Sequence, residues 1–449
     1  MNVHFIAIGG SAMHNLAIAL HLKGYHVSGS DDVIFEPSAS RLAKYGLLPE
    51  KEGWDTDNIT PQLDAVILGM HARADNPELL KAQTLGLKIY SYPEYIYEQS
   101  KDKIRVVIGG SHGKTTITSM ILHVLNYYGK NFDYLVGAQL AGFETMVKVT
   151  ADAPVIIIEG DEYLASPIDR RPKFHLYQAN IAVISGIAWD HINVFPTFED
   201  YITQFVKFIY TIFPSGILIY SENDNELRNI VEKTTAPVTK IPYGIPEHEV
   251  RDGLTYLLPD TPLAVFGHHN LMNLNAARLV CEQLGINEAQ FRTAISSFTG
   301  AAKRLELLLN TKTTHVYKDF AHSPSKLKAT IEAVKTQFPE RKLVACMELH
   351  TFSSLNPAFL NEYKNSMDQA DVRLVYIDSK TFVHKKMAPL NASDIQAAFG
   401  DQDIVFFDDR VSLENYLKSL YFKDTNLLLM SSGNFGGMDL IKLACELNC

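Results

Sequence analysis

The chain has 449 residues, too many for one hydrophobic core, and a rule of about 150 residues per domain suggests three domains. With 46% hydrophobic and 20% charged residues it has an ordinary globular composition, and a net charge of −10 gives no support to a nucleic-acid or anionic-membrane surface. The start lacks a signal peptide's basic region and cleavage site, no apolar run approaches the ~20 residues that span a bilayer, and Cys281, Cys346, Cys445 and Cys449 form no CxxC. The expectation is a cytoplasmic, multidomain α/β protein with no zinc site, no disulfide frame and no obligatory protein partner.

Val3–Ile8 reads as a strand, followed by the turn Gly9-Gly10-Ser11-Ala12-Met13 and a helix to about Lys23. A second strand, from His26, ends in Ser30-Asp31. This is the opening βαβ unit of a doubly wound nucleotide-binding domain, with its glycine turn facing a phosphate. Gly-x-Gly-x-x-Gly is not met, because Ala7 and Ala12 stand where glycines belong, so NAD binding is open but disfavoured. A strand from Ala65 to Met70 delivers His71 at its carboxyl end, and Asn76-Pro77 reads as a helix start. Ser91–Lys103 reads as a connection to the next domain.

That domain opens on Arg105-Val-Val-Ile-Gly-Gly-Ser-His-Gly-Lys-Thr-Thr116. A β-branched strand, Ile104–Ile108, breaks into Gly109, Gly110 and Gly113, and a helix is predicted from about Thr115 to Tyr128. The glycines let backbone N–H groups of Gly110, Ser111, His112 and Gly113 converge on an anion. Lys114 adds a charge, and Thr115 or Thr116 offers a hydroxyl to Mg²⁺. The loop is one residue shorter than the usual P-loop, yet strand, loop and helix stand in the order a triphosphate cradle requires. Downstream, the strand Pro154–Glu159 ends in acids, Glu159-Gly-Asp-Glu162, placed to hold Mg²⁺ directly or through water, or else to form a solvated turn. The basic group Arg170-Arg171-Pro-Lys173 follows, suited either to salt bridges with those acids or to an anionic ligand. A strand over Ile181–Ser185 leads to Asp190-His191, where the neutral imidazole could take a second cation.

Gly267-His-His-Asn-Leu-Met-Asn-Leu-Asn275 precedes a helix expected over Leu271–Leu284. The amides of Asn270 and Asn273, three apart on one helical face, suit the edge of a purine, with N-capping the other use for Asn270. After Gly300-Ala-Ala-Lys-Arg304 a new α/β alternation begins: His315–Phe320 carries Asp319 toward His322, and Leu343–Met347 leads to Glu348-Leu-His350. Strands Leu374–Ile377, Ile404–Phe407 and Leu427–Met430 follow, the last running into Ser431-Ser-Gly-Asn434-Phe-Gly-Gly437. Polar groups recur at strand carboxyl ends, where open α/β sheets bind ligands.

Taken together these residues resemble the ATP-dependent Mur ligases, the amide-forming enzymes of peptidoglycan assembly. Gly110-Ser-His-Gly-Lys-Thr115 is similar to that family's Gly-Thr-x-Gly-Lys-[Ser/Thr], and Glu159, Asp190-His191, His269-Asn-Leu-Met-Asn273, Lys303-Arg304 and Asp319-Phe-Ala-His322 follow in the family's order. The resemblance implies a UDP-sugar domain over residues 1–100, a central ATPase domain over 101–300 and a Rossmann-like acceptor domain over 301–449. It implies that Lys114, Glu159 and His191 are catalytic, that Thr115, Glu159 and His191 hold Mg²⁺, and that ATP also meets His269, Asn270, Asn273, Arg304 and Asp319. The UDP-sugar would lie against Gly9 to Met13, Ser30, Asp31, His71 and Asn76; the acceptor would lie against Arg170, Lys173, His322, Glu348, His350 and Asn434.

Within the family, Ile8-Gly-Gly-Ser-Ala-Met13 and Gly29-Ser-Asp31 resemble the members that act on UDP-N-acetylmuramate. Glu159-Gly-Asp-Glu-Tyr163 with its Asp169-to-Phe174 insert looks like the recycling member, which joins an L-alanyl-γ-D-glutamyl-meso-diaminopimelate tripeptide; the alternative is the L-alanine-adding member. Two departures stand out: Gly186-Ile-Ala-Trp-Asp-His191 replaces Asn-x-Glu-x-Asp-His, and Glu348-Leu-His-Thr-Phe352 replaces the recycling member's Glu-Pro-Arg-Ser-Asn. The mechanism implied is phosphoryl transfer from ATP to a carboxylate, then attack of an amine on the acyl phosphate. Folylpolyglutamate synthesis, which shares the central domain, and a non-catalytic nucleotide sensor are the rival readings.

Overall fold

A computed structural model describes residues 1–447 apart from 141, 190–193, 301–303 and 386, and only the backbone of 383 and 384. The expected Asp190-His191 pair and Lys303 therefore lie outside the described residues. The chain divides into two compact units, residues 1–244 with 274–291 and residues 245–273 with 292–449.

In the first unit, β1 (Asn2–Ile6), β2 (His26–Ser30), β3 (Ala65–Leu68) and β4 (Ile89–Ser91) form a parallel sheet in the order β2-β1-β3-β4. The first strand stops earlier than its apolar run suggests. Ala7 turns to φ 67°, and the N–H groups of Ala7 and Ile8 both reach the Ser30 carbonyl, which folds the chain end over β2. Ser91–Lys103 is not a plain connection but holds the helix Tyr92–Ser100, started by a capping box between Ser91 and Glu94. Arg105 clamps its end: the buried guanidinium donates to the carbonyls of Ser100, Lys101 and Lys103, and to those of Tyr177 and Gln178.

The unit's second sheet contains β5 (Ile104–Gly109), β6 (Asp133–Leu135), β7 (Val147–Lys148), β8 (Val155–Glu159), β9 (Ile181–Ile184), β10 (Ile217–Ser221) and β11 (Thr239–Tyr243). Their order is β11-β10-β9-β5-β8-β6-β7, parallel except where β7 pairs with β6. Val106 to Ile108, Ile156 to Ile158 and Ala182 to Ile184 are fully buried, the continuous apolar pattern of strands covered on both faces. With β5 between β8 and β9, Ile108 is in register with Glu159 and Gly109 with Ile184. The carboxyl ends of three neighbouring strands thus open on one crevice, where doubly wound sheets bind ligands.

The second unit has an antiparallel meander of β12 (His248–Arg251), β13 (Leu254–Leu257) and β14 (Thr261–Leu263). Its main sheet is built from β15 (Glu306–Asn310), β16 (His315–Asp319), β17 (Lys342–Glu348), β18 (Val372–Tyr376), β19 (Val405–Phe407) and β20 (Thr425–Met430). The order is β15-β16-β20-β17-β18-β19, with only β15 antiparallel to its neighbour. Among the described residues Cys281, Cys346 and Cys445 are free thiols, and no helix is long and apolar enough to cross a membrane.

Candidate active site

The glycine loop takes the shape its sequence demands. Gly110 sits at φ 119° and Gly113 at φ 79°, conformations that a side chain disfavours. A Cβ on Gly110 would come within 2.2 Å of Ser185 Oγ and 2.7 Å of its amide nitrogen, so the loop is packed directly on the chain leaving β9. Gly113 caps the helix Lys114–Tyr127, which therefore begins one residue before the predicted Thr115, and Lys114 lies in its first turn.

Two ionic clusters face this loop. Thr115 Oγ1 donates to Glu159 Oε1 at 2.7 Å, and the Gly137 amide donates to Glu159 Oε2 at 2.8 Å. Thr115, not the buried Thr116, thus meets the acid at the end of β8. Lys114 Nζ donates to the Gly110 carbonyl and to Glu162 Oε2, each at 2.7 Å, while Lys173 donates to Asp161 at 2.5 Å. Burial works against the Lys114 ammonium, yet Glu162, Asp161 and Glu159 outweigh it and hold its pKa above the ordinary lysine value. Burial likewise raises Asp161, but Lys173 and Lys114 overcome it and bring the carboxyl down to about 2. Glu159 and Glu162 are therefore buried and paired, while the more exposed Asp161 is held by Lys173. Arg171 closes on Asp169 at 2.6 Å and Glu94 at 3.2 Å, whereas Arg170 is exposed.

At the opening turn, the Gly9 amide donates to Asp31 Oδ2 at 2.7 Å, and burial pushes the Asp31 carboxyl up to about 6. Gly10 gives its carbonyl to His14, Ser11 starts the helix Ser11–Leu22, and Met13 is buried beneath it. Two expected sugar contacts are committed to the fold. Ser30 donates its hydroxyl to the fully buried Glu78, which also faces His4 Nε2 at 3.4 Å, and Asn76 caps its helix through the amides of Glu78 and Leu79. His71 is exposed. No local pattern points to Asn15, which accepts from Met146 N at 2.9 Å, or to Arg41, which donates to Gln139 at 2.9 Å. These contacts tie the first sheet's layer to the segment between β6 and β7. Ser185, Gly137 and Tyr201 were missed likewise, because each acts through a partner far away in sequence.

The helix His268–Gln283, of which residues 268–273 belong to the second unit, starts three residues before the predicted Leu271, so Asn270 is no cap. Its amide donates to the Phe266 carbonyl at 2.9 Å, and both Asn270 and Asn273 are buried. Burial, then Arg304, brings the His269 imidazole down to about 4, and its Nδ1 has no hydrogen-bond partner among the described residues. Arg304 stacks 5.1 Å from the Phe320 ring. Asp319 accepts from the amides of Leu305 and Ala321 at 2.7 Å each, and burial outweighs Arg304 to raise its pKa. Glu348, at the end of β17, accepts from the Ser431 hydroxyl and from the Phe435 amide at 2.8 Å. A Cβ on Gly433 would touch Glu348 Oε2 and the His350 ring at 2.8 and 2.9 Å, so this loop lies flat on both residues. Asn434 caps the turn Phe435–Gly437 and His322 Nδ1 faces the Phe320 carbonyl. Arg170 and Lys173 belong to the first unit, and His322, Glu348, His350 and Asn434 to the second.

A model of the Mur ligase family catalytic domain matches residues 2–103, and one of the Mur ligase middle domain matches 108–281. The chain is 32% identical over 390 residues to UDP-N-acetylmuramate–L-alanine ligase of Caldicellulosiruptor bescii, covering 83% of this chain and 82% of that one. The chain belongs to the Mur ligase family. Its fold is also that of the UDP-N-acetylmuramate–alanine ligase from Thermotoga maritima, at TM-score 0.68 and 20% identity over 99% of this chain and 98% of the other. The Neisseria meningitides UDP-N-acetylmuramate:L-alanyl-γ-D-glutamyl-meso-diaminopimelate ligase aligns at TM-score 0.58 and 25% identity, covering 66% of this chain and 98% of that one. As a Mur ligase, the chain is an ATP-dependent amide-forming enzyme of peptidoglycan synthesis.

Proposed function

We propose that this Mur ligase activates the lactyl carboxylate of UDP-N-acetylmuramate with ATP and joins it to L-alanine in the cytoplasm. The observation that carries the chemistry is the pairing of Thr115 with Glu159 beside Lys114, all at the mouth of a loop where Gly110 leaves no room for a side chain. A carboxylate resists amine attack because its charge is delocalised and oxide leaves poorly. Phosphorylation by ATP removes both obstacles. The ammonium of Lys114 and the loop amides then face the charge that develops on the transferred phosphoryl group. Magnesium would spread that charge further, and Thr115 and Glu159, with His191, are the residues suited to hold it.

In this reading, residues 1–100 take the UDP-sugar on the Gly9–Met13 turn and Asp31, residues 101–300 take ATP, and 301–449 present the amine beside Glu348, His350, His322 and Asn434. His269, Asn270, Asn273, Arg304 and Asp319 serve the nucleotide. L-Alanine is preferred as acceptor because curated relatives that align over most of the chain are named L-alanine ligases. A second reading, a murein tripeptide acceptor, is favoured by the Glu159–Phe174 stretch and by the 25% identity to the Neisseria enzyme. An ADP-release assay with UDP-N-acetylmuramate, offering L-alanine and the tripeptide in parallel, decides between them. Turnover with L-alanine alone supports the first reading, turnover with the tripeptide alone supports the second, and turnover with neither overturns both.

A further inference from the structure

Glu162 has no part in the proposed function, yet at 1% exposure it is more deeply buried than Glu159, at 9%. Its Oε2 accepts from Lys114 at 2.7 Å and its Oε1 accepts from the Tyr201 hydroxyl at 3.0 Å. The second bond sets the direction of those beyond it. Since Tyr201 gives its proton to Glu162, the 2.9 Å contact between Tyr201 and Ser111 has Ser111 as donor. Ser111 Oγ in turn accepts the Ala188 N–H at 2.8 Å. One line of donors therefore runs from the chain after β9, through the glycine loop and Tyr201, to Glu162, and Lys114 meets it from the other side. Tyr201 is fully buried on the helix Phe198–Thr211, with Phe195 and Phe205 against its ring, so Glu162 is anchored on the side away from Lys114.

We propose that Glu162 is a positioning residue that holds the Lys114 ammonium as an internal stand-in for phosphate, so that nucleotide enters by exchanging one anion for another. The inference rests on Lys114 being the residue that grips the triphosphate. A carboxylate at 2.7 Å cancels much of the field Lys114 offers to a phosphate, so the pair sets nucleotide affinity below what the cradle alone would give. The triphosphate carries more charge than the carboxylate and displaces it. Once the γ-phosphoryl group has left for the substrate, Glu162 takes the ammonium back and ADP is released more readily. Affinity is given up for turnover.

The test is calorimetric titration of the full chain with magnesium ADP and a non-hydrolysable ATP analogue, in wild type, Glu162→Gln, Lys114→Met and the double variant. Glutamine keeps the shape and the Tyr201 contact while removing the charge. The expected result is analogue binding about 5- to 30-fold tighter in Glu162→Gln, a gain absent when Lys114 is methionine. KM for ATP and kcat should fall together, since ADP leaves more slowly. Weaker or unchanged binding in Glu162→Gln, or the same gain with and without Lys114, overturns the exchange. Should Glu162→Gln fail to fold, Glu162→Asp, which withdraws the charge by one methylene, is expected to tighten binding to a smaller degree, and unchanged or weaker binding contradicts the proposal. If Lys114→Met leaves analogue binding untouched, the phosphate-cradle reading itself fails. If it weakens binding while Glu162→Gln has no effect, only the exchange fails.

Discussion

At Lys114, burial and charge pull in opposite directions, and three nearby carboxylates win. Replacing it with alanine removes the positive end of that cluster together with the group that faces the phosphates. Lys114→Ala is therefore expected to lower kcat/KM by about 10²- to 10³-fold with the far-ultraviolet circular dichroism unchanged, and near-normal turnover would contradict the assignment. His175 shows the same physics with the opposite outcome, burial outweighing the Gln204 carbonyl and Asp169. Burial brings its pKa from 6.5 to about 4, and its Nε2 faces the Gln204 carbonyl at 2.8 Å. The folded chain keeps the ring neutral while the unfolded chain protonates it, so the stability is fully present above pH 6.5 and is lost as the pH falls toward 4. The slope expected from this residue is about 1.4 kcal/mol per pH unit, read from urea midpoints across that window and flattened in His175→Gln. Residue identity alone did not reveal which polar groups were free. Ser30 stands where a ligand would be met, but its partner Glu78 lies 48 residues beyond it and no local pattern announced that pairing, whereas the Asn76 cap on Glu78 is the one that Asn76-Pro77 announces.

Strand β5, its glycine loop and the helix from Lys114 were legible because each follows from short-range rules: a β-branched run, glycines where the backbone takes positive φ, then a helix start. The same rules make Gly110 a sharp test. Its φ of 119° and the 2.2 Å approach to Ser185 mean that Gly110→Ala must shift the loop or the chain after β9. We expect a loss of about 1–3 kcal/mol in stability and nucleotide binding weakened at least about tenfold; a variant with wild-type melting and binding would show that the loop is not under this constraint. Strands β6, β7 and β12 to β15 were not legible. They are two to five residues long and several lie at sheet edges, and β12 to β15 pair with strands adjacent to them in the chain, β12 with β13 across Asp252-Gly253, so that short turns and not long apolar runs mark them. Helix starts moved for a related reason. His268 begins its helix because Gly267 is already turned at φ 87°, a backbone fact absent from the apolar spacing.

For the whole molecule, the order of motifs carried more information than any single one: it pointed to the Mur ligase family, to which the chain belongs, with family models matching residues 2–103 and 108–281. The acceptor was the least legible part. A loop laid flat on Glu348 and His350 defines a polar surface, but the residue types there suit either an amino acid or a peptide. What the account requires of every acceptor is the same: the carboxylate of UDP-N-acetylmuramate must first take a phosphoryl group. The most direct measurement is isotope transfer, with ¹⁸O in that carboxylate and mass analysis of the inorganic phosphate released during turnover with ATP. One labelled oxygen in each phosphate is the predicted result; phosphate free of label, released as the amide forms, would contradict it.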